Sequence, residues 1–136
     1  MNDYISIRVY SDDDERCEKI TFPTDTETAK KILKQAGASG DDWFIRYTRA
    51  ISNNLDNALY RCRNFTEMNY LGALYEELTD LQKAVFAFFS QSKCFENAPV
   101  STFINIILTI LNDPKKHPKF YCGNSITIPE KYRIFA

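Results

Sequence analysis

A chain of 136 residues that is 44% hydrophobic, 14% aromatic and 26% charged has the composition of a folded globular protein, which excludes disorder beyond the ends. Folding at this length removes about two-thirds of the unfolded surface from water, so the core needs neither disulfide nor metal. The net charge of −1 divides unevenly, with 15 acidic and 10 basic side chains in residues 1–80 and 3 and 7 in residues 81–136; neither balance is extreme, but an acidic N-terminal face could recognise something cationic.

Tyr4 to Tyr10 alternates, with Ile5, Ile7 and Val9 on one face and Ser6 and Arg8 on the other, which predicts a half-buried strand. The polar turn Ser11–Arg16 leads to a second alternating run, Cys17 to Phe22, and a β-hairpin is the simplest connection. Pro23-Thr24-Asp25-Thr26-Glu27 reads as a helix start, with Thr24 and Glu27 as a capping box. Ala29, Ile32, Leu33 and Ala36 form its apolar stripe, Lys30, Lys31 and Lys34 face solvent, and Gly37 ends it. After a loop at 38–42, Trp43 to Thr48 is a third strand.

Residues 50–64 read as a short helix on the spacing of Leu55, Ala58, Leu59 and Cys62. Phe65 to Leu78 is the next helix, with Leu71, Leu74, Tyr75 and Leu78 on one face, Thr66 as cap, and Phe65 and Tyr70 as a hydrophobic staple. Thr79 and Gln82 form a second capping box, opening a helix whose predicted stripe is Leu81, Val85, Phe88 and Phe89. Phe86, Phe88, Phe89 and Phe95 are expected in the core. Ser101 to Leu111 is apolar nearly all round and is expected to be the central buried helix. Beyond it the chain looks irregular, with a short strand near Ile126 to Ile128. The predicted class is α+β: a small three-stranded β-β-α-β lobe over residues 1–51, then a compact helical lobe of three to four helices with an irregular tail over residues 52–136.

Cys17, Cys62, Cys94 and Cys122 are irregularly spaced, without a CxxC pair, and His117 is the single histidine. Reduced thiols, no metal, no signal peptide and a cytoplasmic location are expected. Catalysis is not expected either. His117 sits among lysines between Pro114 and Pro118. Glu76 and Glu77 are adjacent, so they diverge by about 100° on a helix and cannot work as an acid–base pair. No glycine-rich phosphate loop, HExxH or GxSxG is present, and no cofactor is implied. Lys115, Lys116 and Lys119 form a basic patch too small for expected direct binding of nucleic acid.

The acidic side chains are the remaining candidates: Asp12, Asp13, Asp14, Glu15 and Glu18 in and beside the hairpin turn, Asp25 and Glu27 at the first helix, Asp41 and Asp42, then Glu76, Glu77 and Asp80, with Asp56 and Glu67 between. Spaced carboxylates on a rigid surface can imitate DNA phosphates. Phe22-Pro23-Thr24-Asp25 running into Ala29-Lys30-Lys31-Ile32-Leu33, then Asp41-Asp42-Trp43-Phe44-Ile45, resembles the first domain of the ArdA antirestriction proteins. Phe65 to Leu78 is similar to that family's helix of the type L-N-x-L-A-x-x-L-E-E-L, and Ser101 to Leu108 with Phe120-Tyr121-Cys122-Gly123 is similar to a later segment. The resemblance covers roughly residues 3–125. It implies a non-enzymatic mimic of bent DNA that blocks type I restriction enzymes, carried by conjugative plasmids and transposons. A protein partner, and room for a homodimer, follow from it; a membrane does not. Interaction with another protein through an apolar groove, without mimicry, is the alternative. Because Lys30, Lys31 and Lys34 share a helix with Asp25 and Glu27, patches of mixed sign are expected.

Overall fold

β1 (Ile5–Ser11) and β2 (Cys17–Phe22) pair antiparallel in a register running from Ile5 opposite Phe22 to Tyr10 opposite Cys17. The alternation has its expected consequence: Ile5, Ile7, Val9, Ile20 and Phe22 are all fully buried. β3 (Trp43–Arg46) pairs antiparallel with the other side of β1, giving the order β2-β1-β3. The computed structural model describes residues 4–11, 17–37, 43–46, 51–62, 64–112 and 127–134.

α1 (Thr26–Gln35) follows a cis Phe22–Pro23 peptide and packs on β2 through Ala29 and Ala36. Its cap is Asp25 rather than Thr24: the Asp25 carboxylate accepts from the Thr28 amide at 2.7 Å. The Thr24 amide is taken instead by the side chain of Asn69, at 2.6 Å. Gly37 ends the helix at φ 76°, a left-handed conformation that favours glycine.

Four α-helices follow among the described residues: α2 (Asn53–Arg61), α3 (Phe65–Glu76), α4 (Asp80–Ser90) and α5 (Val100–Asn112). The class is α+β. α3 is the hinge between its parts, packing on β1 and β2 on one side and on α5 on the other. Buried side chains of the sheet and of α1 to α5 accordingly belong to one continuous hydrophobic cluster. Gly72 makes this possible, because a Cβ there would lie 2.6 Å from the Phe22 Cβ and 2.7 Å from its carbonyl carbon. α5 carries Phe103, Ile104, Ile106 and Ile107, each fully buried, as an all-round apolar helix should.

Three further local expectations are corrected. The cap of α3 is Asn64, whose side chain accepts from the Glu67 amide at 3.1 Å; Phe65 is the first helical residue, so it does not form the staple expected with Tyr70. In α4 the capping box of Thr79 and Gln82 forms in both directions, but the buried side is turned. Phe86 and Ser90 face inward while Leu81 and Phe88 are 75% and 74% exposed, so Phe88 is not a core residue. Phe86 meets the Tyr75 ring at 5.8 Å, and the Ser90 hydroxyl lies 2.8 Å from that of Ser52; those contacts fix the rotation. Lastly, Thr127 and Ile128 are not in a strand, and a 3-10 turn at Glu130–Tyr132 follows them; Ile126 lies outside the described residues.

Candidate functional site

Of the acidic candidates, Asp25, Glu27, Glu76, Glu77 and Asp80 are exposed. Asp12, Asp13, Asp14, Glu15, Asp41 and Asp42 lie outside the described residues, as do Lys115, Lys116, His117 and Lys119. Asp25 caps α1, and hydrogen bonds from the Thr28 amide and hydroxyl hold its carboxyl below the ordinary value. Glu27 shares α1 with the exposed Lys30, Lys31 and Lys34. Lys30 and Lys31 stand at i+3 and i+4 from Glu27, where opposite charges attract and cancel each other's field. Asp56, grouped with these carboxylates by sequence, is only 3% exposed and so is no surface charge.

A second group gathers at the joint between α3 and α4. Glu76 and Glu77 end α3, and Asp80 opens α4, all three exposed. Directly after them the outer side of α4 turns apolar. Leu81, Ala84 and Phe88 are exposed at i, i+3 and i+7, and Val85 and Phe89 are half-buried beside them. The rings of Phe88 and Phe89 stand edge to face at 5.6 Å. Leaving two large side chains in water forgoes about 1.5–3 kcal/mol of burial for each. Scattered single apolar residues need no explanation, whereas a contiguous stripe on one helix is a candidate contact surface.

A cleft of about 600 Å³ opens elsewhere, where the end of α2 and the start of α3 face the start of α5. Ala58, Phe65, Pro99, Val100 and Ile134 supply its apolar walls. Its polar groups are Arg61, Asn64, Glu67 and Asn97, with the Cys62 thiol among them. The Arg61 guanidinium donates to the Ala98 carbonyl at 3.3 Å. The Cys62 sulfur lies 3.5 Å from the Asn64 carbonyl oxygen and 3.9 Å from Glu67 Oε2. Burial, helped by the negative charge of Glu67, pushes this thiol up from the usual 9.0 to about 11, so at neutral pH it is a protonated donor and a poor nucleophile.

The C-terminal strap closes one end of this cleft. Thr66 Oγ1 accepts from the Ile134 amide at 3.0 Å, and Asn69 donates to the Tyr132 carbonyl at 2.9 Å. The sequence predicts an apolar groove between helices without naming its residues, and it places Leu81 and Phe88 inside rather than on the surface of α4. A charged Arg61 and Glu67 around a helix break were the available signal for the cleft.

Among the described residues no group of three His, Cys, Asp or Glu side chains could hold a metal ion, and no helix is long and apolar enough to cross a membrane. No family model, curated protein or solved structure matches the chain.

Proposed function

We propose that this chain is a non-enzymatic, antirestriction-like protein of a bacterial mobile element that acts in the cytoplasm by occupying another protein, with a type I restriction enzyme as the partner. The observation that carries binding to a protein is the exposed stripe Leu81–Ala84–Phe88 on α4, next to the carboxylates of Glu76, Glu77 and Asp80. An apolar strip beside a local negative field is suited to a partner that presents apolar anchors and basic side chains, as a DNA-binding enzyme does. The identity of the partner rests on the resemblance to the ArdA proteins. Expressed in cells carrying a type I system, the chain should raise the plating efficiency of unmodified phage. Unchanged plating would remove the restriction enzyme as partner. With the purified enzyme, Leu81→Lys combined with Phe88→Glu should abolish inhibition.

DNA mimicry is the narrower form of this reading, supported by the exposure of Asp25, Glu27, Glu76, Glu77 and Asp80. A second reading, an interaction module on the same fold without mimicry, is favoured by Lys30, Lys31 and Lys34 standing exposed on the helix of Glu27. Ionic strength separates the two. A phosphate mimic should release its partner steeply between about 0.1 and 1 M salt, over which the screening length falls from about 10 to 3 Å. A complex held by Leu81 and Phe88 should persist.

A further inference from the structure

We propose that the cleft between α2, α3 and α5 binds a small zwitterionic ligand with an apolar body, a free amino acid or a short peptide, whose carboxylate meets Arg61 and whose ammonium group meets Glu67. The two charges are of opposite sign and come from opposite sides of one helix break, Arg61 from the last turn of α2 and Glu67 from the first turn of α3. Arg61 has five N–H donors, and its bond to the Ala98 carbonyl uses one of them. That single contact positions the guanidinium and leaves its fork for a carboxylate, the anion whose geometry it matches. Glu67 approaches the Cys62 sulfur at 3.9 Å through Oε2, so Oε1 remains to accept from an ammonium group.

Between these ends the walls are apolar and preformed. Ala58, Phe65 and Val100 are 2–3% exposed and locked in the core. The side-chain amides of Asn64 and Asn97 also line the space, and an amide complements a peptide group because it carries both donor and acceptor. At about 600 Å³ the cleft lies within the range of small-ligand sites, about 300–1,000 Å³. The thiol of Cys62, turned toward the Asn64 carbonyl and Glu67 Oε2, is uncharged and leaves the charge pair undisturbed. This site is separate from the α4 surface and stands whether or not that surface binds a restriction enzyme.

The test is a titration of the isotopically labelled full chain, followed by backbone amide resonances. The probes are the tripeptide Ala-Leu-Ala, its N-acetylated and C-amidated forms, and free leucine. The tripeptide or leucine should shift the resonances of Arg61, Cys62, Glu67 and Val100, and whichever binds more tightly identifies the source of the ligand. Each cap should weaken tripeptide binding by about tenfold, or leave only the uncapped amino acid bound. Glu67→Gln should remove the penalty of acetylation and preserve that of amidation; Arg61→Gln should do the reverse. Glu67→Gln is isosteric and Arg61→Gln shortens an exposed side chain, and an unchanged amide spectrum elsewhere verifies that both fold. No shifts with any probe at millimolar concentration, or capped and uncapped peptides binding alike, would overturn the proposal.

Discussion

Alanine at position 72 would place its Cβ 2.6–2.8 Å from the Cβ, carbonyl carbon and carbonyl oxygen of Phe22. In an open helix the same change gains about 0.5–1 kcal/mol. Here two of the three colliding atoms are backbone and cannot rotate away, and overpacking of this kind costs about 1–3 kcal/mol. The clash wins, so Gly72→Ala should lower the urea midpoint, measured by circular dichroism. Cys62 offers a test by pH. Its folded value, about 11, lies above the usual 9.0. The neutral thiol therefore supports the fold fully below pH 9, and that support is lost as pH rises through 11. Cys62→Ser should make stability fall less steeply across that interval. At pH 8 a thiol held at about 11 is almost wholly protonated, and Cys62 is also the less exposed of the two, so peptide mapping should find Cys94 alkylated well before Cys62.

α4 shows what periodicity resolves and what it leaves open. The spacing of apolar residues places β1, β2, α1 and α5 correctly, and Thr79 with Gln82 marks the start of α4 to the residue. At 100° per residue Leu81, Val85, Phe86, Phe88 and Phe89 share one arc of about 160°, and the period does not say that its Phe86 edge, rather than its centre, faces inward. Tyr75 and Ser52, distant in sequence, decide between them. The cleft was illegible for the same reason, because its walls come from residues 58–67, 97–100 and 134. Opposite outcomes are expected on the two sides of α4. Phe86→Ala should cost about 3–5 kcal/mol, the usual range for a fully buried ring. Phe88→Ala should alter stability by no more than about 0.5 kcal/mol, as surface substitutions do, while weakening the complex with the partner. Thermal melts of the two variants, set beside a binding assay, test both.

For the molecule as a whole, the continuous cluster through sheet and helices sets the unit of folding. Ile5, Ile7 and Phe22 pack into the same core as Leu71 and Phe103. Residues 1–51 alone would expose that sheet face, so the fragment should be unfolded by amide-proton dispersion, and the full chain should melt in one transition by fluorescence and circular dichroism alike. Resolvable transitions, or a folded fragment, would mean that the two lobes hold together independently.

The amide of Asn69 bonds the Thr24 N–H on one side and the Tyr132 carbonyl on the other. Read as a timetable of synthesis, this places the joining of the two segments after Tyr132 has been made. The hairpin and α1 emerge first, and α3 can dock on them as soon as Gly72 is free to meet Phe22. Its amide nitrogen must then wait in water until Tyr132 has cleared the ribosome, and the hydroxyl of Thr66 likewise until Ile134 has done so. Segments separated by more than a hundred positions are thus fastened by one side chain, and the cleft beside them is finished only after Ile134 has been made.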